Sequence, residues 1–452
     1  MYPELNEAER FPLLTPAGQK FLHAMRQHPQ APLWNWPNGE QLDAAGLSRV
    51  KQFAADLASK PRFGPNQPPD WLAAFVDYCL EDVPFYRRRS ARGTPLAAIP
   101  SCSREDLAPK VWDFVPDSVS LDELIVFSSS GTTGHPCQTP HHPASAAAGI
   151  PLLEHSLAAT GIKFPRGAEQ MALTNIAAYS GAYTTAIVMA YLQEAGCIRV
   201  NLSPEVWRQP GDSRAFLDRW WAPVMLGDPQ AFAELGNVGI ERAPQVMVSC
   251  IMHLSDALDE QLTSRYGCPV IDLYALTEAG IVAVKTPHGH AILPHDLYVE
   301  ILDEHDQPCA GGTRGEVTLT GGRNPYLPLL RYRTGDFASL AWYDGRPTLV
   351  ELEGRQPLCF PIGGDRIVHS MEVTRLLRTF PLAQYQLHQD QDGGFRFGYR
   401  GGINEDELRE ALSELLGKPA RLIVEELLPL PPGQRKIPVY RSLHPGASRL
   451  AG

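Results

Sequence analysis

From residue 121 onward, short apolar runs ending in glycine- and hydroxyl-rich turns alternate with stretches of helical spacing, and this alternation constrains the fold more than any other feature. The first run, Leu124-Ile125-Val126-Phe127, passes directly into Ser128-Ser129-Ser130-Gly131-Thr132-Thr133-Gly134-His135-Pro136. Further runs at 170–175, 197–201, 224–226, 245–250 and 270–274 have the length and β-branched content of buried strands. An α/β core follows. Upstream, residues 1–120 carry apolar side chains three and four apart at 21–26, 42–57 and 71–80, between proline-rich joints, which predicts a helical cap. Between 297 and 352 the pattern is all strand, at 298–302, 315–320, 336–340 and 348–352, and reads as a small β subdomain. Beyond Gly354 a helix at 405–416 and strands near 385–388 and 422–425 predict a small α+β domain. The expected division is a large domain made of the cap, 1–120, and the α/β core with its β subdomain, 121–353, followed by a mobile C-terminal domain, 354–452.

The 452 residues, 44% hydrophobic and 20% charged, hold enough apolar material to order several cores, which excludes disorder as the main state. Forty Lys and Arg stand against 51 Asp and Glu, and the resulting charge of −11 repels polyanions, so nucleic acid is excluded as the main partner. The nearest two of the eight cysteines, Cys250 and Cys268, are 18 positions apart, leaving no CxxC pair for a zinc ribbon or redox site. The N-terminus lacks a basic start with an apolar run, and no stretch approaches the ~18 apolar residues of a membrane span. These features predict a reduced, cytoplasmic protein with no membrane partner.

Three segments carry chemistry. In Ser128, Ser129, Ser130, Gly131, Thr132, Thr133 and Gly134, glycines let backbone N–H groups converge while hydroxyls add donors without bulk, a composition suited to a polyphosphate. The lysine of a Walker A loop is missing. A solvated surface loop is the plain alternative. In Tyr274-Ala275-Leu276-Thr277-Glu278-Ala279-Gly280, a ring able to stack on a base precedes a hydroxyl suited to a phosphate and a carboxylate suited to magnesium. Its plain alternative is a strand-to-helix turn with Glu278 favoured by the helix dipole. In Arg331-Tyr332-Arg333-Thr334-Gly335-Asp336, Asp336 is an acceptor for ribose hydroxyls, or simply a turn aspartate beside solvated arginines.

These segments, in this order and followed by Gly354-Arg355, resemble the adenylate-forming superfamily of acyl- and aryl-CoA ligases, nonribosomal adenylation domains and luciferases. Within it the chain is most similar to the phenylacetate-CoA ligase family, through Gly289-His290 to Asp296 and the run from Gly315 to Asp336. The resemblance spans roughly residues 80 to 440. It implies that the loop from Ser128 to Gly134 cradles the β- and γ-phosphates of ATP, that Tyr274 stacks on adenine, that Thr277 contacts the α-phosphate and that Glu278 binds Mg2+. Asp336, with Arg355 beside it, is implied to hold the ribose. Lys436, in the turn Pro431-Pro432-Gly433-Gln434-Arg435-Lys436-Ile437, stands where the superfamily has its catalytic lysine. The implied reaction joins a carboxylic acid to AMP and then to a thiol, with coenzyme A as the co-substrate; a carrier-protein thiol or an amine is the alternative acceptor, and a nucleotide-binding scaffold without turnover is the alternative outside catalysis.

Two departures stand out. Arg435 precedes Lys436 where small residues are usual and competes for the cationic role, and Gln356-Pro357 replaces the acidic pair of the hinge, where proline fixes one backbone angle. Gly363-Gly364-Asp365 still resembles the turn used in thioester formation. For the acid, Tyr179, Gly181 and Tyr183 offer aromatic walls with room between them, and an aromatic acid is the expected substrate class; packing within a helix is the alternative. Trp220-Trp221 suits a core or a homodimer interface better than a pocket. Cys250, His253, Cys268 and Cys309 match no strong zinc template, and His141-His142 are adjacent, so in an extended segment they point apart.

Overall fold

The protein is described by a computed structural model covering residues 5–59, 64, 67–129, 137–354, 357–363, 366–428 and 437–449. Its apolar runs become strands as their spacing predicts, and most of them join one sheet. In chain order the strands are β1 (Cys102–Ser103), β2 (Ile125–Ser129), β3 (Cys137–His141), β4 (Met171–Ala177), β5 (Thr185–Met189), β6 (Ala195–Asn201), β7 (Val224–Gly227), β8 (Val246–Ser249), β9 (Val270–Leu276), β10 (Gly280–Thr286), β11 (Gly289–Ile292), β12 (Leu297–Leu302), β13 (Gly315–Gly321), β14 (Leu329–Tyr343) and β15 (Arg346–Gly354). The large sheet runs β12-β13-β14-β15-β11-β10-β9-β8-β7-β4-β6-β5, with β1 pairing onto β14.

One half of the sheet is parallel: β6, β4, β7, β8 and β9 pair in register Arg199↔Asn175↔Leu226↔Val248↔Ile271. Helices cover both of its faces, which is why the central strands β7 and β8 are continuous apolar runs rather than alternating. On one face Met225, Met247 and Ile198 pack with Phe21, Leu22 and Met25 of the helix Pro16–Arg26 and with Phe232 of the helix Pro229–Val238. On the other, Val224, Val246 and Leu173 pack with Leu153 and Leu157. The other half is antiparallel, and the helix Leu72–Asp82 lays Leu72, Val76 and Cys79 on Val299, Val317 and Leu319.

The strands after residue 297, read from the sequence as a small β subdomain, are hydrogen-bonded into the same sheet as the α/β strands. The join is β9, whose first residues pair with β8 in parallel and whose last residues pair with β10 antiparallel. Likewise the N-terminal helices are shared between the two halves. From Leu358 a further core forms around Phe360, Val373, Leu387, Phe397 and Leu408. It holds β16 (Leu358–Pro361), β17 (Ile367–His369), β18 (Leu382–Gln389), β19 (Phe395–Gly401), β20 (Leu422–Glu426), β21 (Tyr440–Ser442) and β22 (Ser448–Arg449), in sheets ordered β17-β16-β22 and β20-β19-β18-β21. The Ser255 hydroxyl donates to the Phe380 carbonyl at 2.9 Å and the Ala257 N–H to the Arg378 carbonyl at 3.0 Å, tying this part to the large sheet's helices.

Strand β5 is the sheet's outer edge, and residues 33–40 strap over it. Trp36 N–H donates to the Thr184 carbonyl, Asn35 exchanges bonds with Thr184, and Glu40 Oε2 accepts from the Ala190 N–H at 2.7 Å. Such cover removes an unpaired edge. Burial pushes the Glu40 carboxyl up to about 7, against the opposing pull of the Ala190 N–H. A raised folded value means that the neutral form stabilises the fold fully below the unfolded value of 4.5, and that this contribution is lost as pH rises towards 7. Glu40→Gln is accordingly expected to melt close to wild type at pH 4.5 and to gain on the order of 2 kcal/mol over it at pH 8. Thermal melts across that range measure the difference; an offset that does not change with pH would refute the assignment.

Candidate active site

Asp336 lies not in a turn but in a bulge of β14. Thr318 pairs with Arg333 and Glu316 with Phe337, so residues 334–336 face a single residue of β13 and bulge from that pairing, with Gly335 at φ 80°, while Asp336 still pairs with Gly354 of β15. Side chains hold the bulge. Glu316 accepts from the Gly335 N–H at 2.9 Å and from Arg333 Nη1 at 2.8 Å, while the Thr334 hydroxyl donates to the Val317 carbonyl and accepts from the Asp336 N–H. Arg333 also donates to Asp306 Oδ1 and to Ser101 Oγ. Burial alone would raise the Asp306 carboxyl, but hydrogen bonds from Ser101 and Arg333 outweigh it and hold it down at about 2. Arg331 is 1% exposed and donates to the carbonyls of Ala97, Ile99 and Asp306. In place of the solvated pair considered from the sequence, Arg331 is a buried strut and Arg333 a half-buried one. Their signal, alternating Arg-Tyr-Arg, does not tell inward from outward.

The second segment ends in a hairpin. Gly280 pairs with Leu276, so Thr277-Glu278-Ala279 form a three-residue turn between β9 and β10, and no helix follows. Thr277 is exposed at its tip. Glu278 is buried, and its Oε1 accepts from the Tyr332 hydroxyl at 2.6 Å. Tyr274 donates its hydroxyl to Asp336 Oδ2 at 2.6 Å, joining residues 62 positions apart. Burial pushes both phenols well above their usual value, and the neighbouring carboxylates add to it. Both tyrosines therefore remain neutral donors.

The first segment is framed by two strands. β2 and β3 pair antiparallel from Ile125↔His141 to Ser129↔Cys137, with Ser128 exposed opposite Gln138. The expected phosphate ligands continue through Ser130, Gly131, Thr132, Thr133 and Gly134, which lie outside the described residues, as do the Ser129 side chain, Arg355, Gln356, Gly364, Asp365, Arg435 and Lys436. Burial raises the Cys137 thiol, and the charge of Glu278 raises it further against Arg104. Buried His141 is held down at about 4 by desolvation, opposed by a hydrogen bond to the Thr277 backbone. His142 takes a different role: its Nδ1 accepts from the Ala144 N–H at 3.0 Å, and its Nε2 meets Glu123 at 2.8 Å.

Tyr179, Gly181 and Tyr183 occupy the loop between β4 and β5, not a helix, at the carboxyl ends of the parallel strands, where open α/β sheets place ligands. The Tyr179 carbonyl accepts from Asn201, the Gly181 N–H approaches Glu205 at 3.4 Å, and the Tyr183 ring lies under the Arg199 guanidinium at 4.1 Å. Trp220 is in the core against Phe21, and Trp221 is covered by Arg242. Among the described residues no group of three His, Cys, Asp or Glu is placed to hold a metal ion, and no helix is long and apolar enough to cross a membrane.

The fold is that of the adenylate-forming CoA ligases. A 2-hydroxyisobutyryl-CoA ligase in the postadenylation state, in complex with R3-HIB-AMP, superposes with a TM-score of 0.55 over 89% of this chain and 90% of its own, at 16% identity. The open conformation of that ligase, in complex with 2-HIB-AMP and CoA, gives a TM-score of 0.50 over 88% and 91%, also at 16% identity. By sequence the chain is similar to proteins named phenylacetate-coenzyme A ligase. That of Escherichia coli (strain K12) is 25% identical over 291 residues, 59% of this chain and 64% of the relative, so the match leaves over a third of that relative uncovered. That of Aromatoleum evansii is 23% identical over 346 residues, 70% of this chain and 76% of the relative. No protein-family model matches.

The geometry makes Arg333 the brace of the Asp336 bulge. Arg333→Met leaves Asp306 and Glu316 without their counter-ion, and is expected to destabilise the fold by about 3 kcal/mol. Urea denaturation measures this; a loss below about 1 kcal/mol would mean that solvent replaces the arginine and that it braces nothing.

Proposed function

We propose that this protein is an AMP-forming acid–thiol ligase acting on an aromatic carboxylic acid, with coenzyme A as the acceptor. The observation that carries the reading is the contact between Tyr274 and Asp336, which unites a ring suited to a base with a carboxylate suited to ribose hydroxyls in one place. The relatives' names point to an arylacetic acid, and the titles of the structural neighbours to an acyl-adenylate and CoA.

In the first step the acid's carboxylate attacks the α-phosphorus of ATP, an acyl–phosphate bond forms, and pyrophosphate leaves. In the second, the thiol sulfur attacks the acyl carbon, AMP leaves and the thiol proton passes to solvent. Neither step needs a protein nucleophile; both need fixed charge and position. Tyr274 orients the base, Asp336 accepts from the ribose hydroxyls, and the exposed Thr277 hydroxyl donates to the α-phosphate. Glu278 fits a magnesium ion in kind: it is a buried oxygen donor with one oxygen engaged by Tyr332, leaving lone pairs for a hard cation. Magnesium, when bound, offsets the charge of the departing phosphates. Lys436 supplies a cation between carboxylate and phosphate. Tyr179, Gly181 and Tyr183 line the acid's side, and ring substituents are sorted there.

Acid-dependent exchange of labelled pyrophosphate into ATP, over a panel of aryl and arylacetic acids, tests the first step, and thioester formation with coenzyme A tests the second. Asp336→Asn is expected to raise the KM for MgATP by roughly 10-fold or more, since a charge-assisted pair becomes a neutral one. Lys436→Ala is expected to lower adenylate formation about 100-fold with nucleotide affinity within a few-fold of wild type. Exchange with every acid absent, or unchanged in Lys436→Ala, contradicts the corresponding assignment. Exchange without thioester formation selects a carrier protein or an amine as acceptor.

A further inference from the structure

Strands β5 to β9 set one row of side chains on a single face of the large sheet. Directly opposed residues share a face, and the row runs Thr185↔Arg199↔Asn175↔Leu226↔Val248↔Ile271. Leu226, Val248 and Ile271 belong to the core formed with Leu153 and Leu157. The other end of the row is polar. There the Arg199 guanidinium lies at 4.1 Å over the ring of Tyr183, in the loop between β4 and β5 that lines the acid's side. Trp36, from the strap over β5, packs against the same ring with centroids 5.8 Å apart.

The polar groups of this end lack partners. Arg199 is half-buried, its Nε is enclosed without an acceptor, and among the described residues no carboxylate pairs with it. Thr185, directly opposite and 6% exposed, has a buried hydroxyl that is likewise unpartnered. Half-buried guanidinia elsewhere are held differently: Arg26 donates to the Ala186 carbonyl, Arg314 to the carbonyls of Glu351 and Phe337, and Arg323 to the carbonyl of His295. The contact with the Tyr183 ring offsets part of the cost of desolvating the charge but gives the N–H groups no oxygen. Enclosed polar groups without partners cost stability, and two of them side by side at the proposed acid site mark where a ligand supplies the oxygens.

We propose that the acid carries a second carboxylate, remote from the reacting one, and that Arg199 binds it together with Thr185 and Asn175. The inference rests on the ligase reading and deepens it: the substrate class becomes that of aromatic dicarboxylic acids. A guanidinium presents its N–H groups in a planar fork that matches the two oxygens of a carboxylate, and a hydroxyl and an amide beside it add donors. The half-buried Leu226 and Ile271, in the same row, give a ring an apolar surface. Tyr183 gains a second part, since its ring face holds the guanidinium in place.

Pyrophosphate exchange on the full chain with matched acids tests the inference. The meta and para isomers of phenylenediacetic acid present the remote carboxylate, and in the corresponding isobutylphenylacetic acids two methyl groups stand where its oxygens would be. Wild type is expected to favour the diacid of at least one pair by roughly 30-fold or more in kcat/KM, through KM, because a guanidinium facing methyl groups stays unpaired. Arg199→Met keeps the stem over Tyr183 and removes the charge, and is expected to bring that ratio to within about 3-fold of one. A wild-type ratio near one in both pairs, or a ratio that survives in Arg199→Met, overturns the inference. Circular dichroism melts establish that the variants fold. If Arg199→Met does not, Arg199→Lys, which keeps the charge without the fork, and Thr185→Val must each lower the ratio about 5-fold; unchanged ratios in both overturn it. Exchange absent with every acid defeats the ligase reading, and calorimetric titration of the same acids then reads the preference as a ratio of Kd values. Equal affinities, or no binding by wild type, defeat the site as well.

Discussion

The double pairing of β9 is the constraint on which the molecule depends. Its first residues complete a parallel sheet against β8, and its last residues open an antiparallel one against β10. A strand that changes partners along its length must carry its side chains from a core covered by helices to the boundary between two halves. Ile271 and Leu273 contact one core, while Tyr274 and Leu276 contact the other. The chemistry-bearing turn emerges where the two pairings part. Register errors there would move Tyr274 and Glu278 together, because side chains alternate at a period of two.

Polar networks, rather than apolar packing, fix the groups around that point. Arg331 and Arg333 are enclosed by carbonyls and carboxylates, and Glu316 divides its two oxygens between a backbone N–H of the bulge and the guanidinium behind it. Breaking such a pair leaves a partly buried charge without its partner, so these contacts resist rearrangement even where their net stabilisation is small. The result is a carboxylate, Asp336, set by strand geometry instead of by a mobile loop. Preorganisation of that kind suits a reaction whose demands are position and charge.

The strap across β5 and the helices on both sheet faces serve the same end from a distance. They close the outer edge and bury the parallel strands on both sides. The loop with Tyr179 and Tyr183 is attached there through Asn201 and Glu205, close to the strand ends that precede it.

Much of this was legible in the sequence. Short β-branched runs, their order and the hydroxyl, glycine and acidic residues following them establish an α/β chain with three candidate nucleotide segments, because strand length and turn chemistry are local properties. The strands β3, β5 and β10 escaped, since Pro140 in β3, the tyrosine- and glycine-rich approach to β5 and the short turn before β10 blur the period. The roles of Arg331, Arg333, His141 and Asn324 escaped for a deeper reason. Whether an arginine is a solvated charge or a strut, and whether a histidine is a surface group or a buried one, depends on residues tens to hundreds of positions away. The amino-acid order alone determined which segments have the chemistry to meet a nucleotide; only the tertiary structure decided that Tyr274 meets Asp336 and that His141 meets Asn324, because contact between distant segments is set by how strands pair and not by what each segment contains.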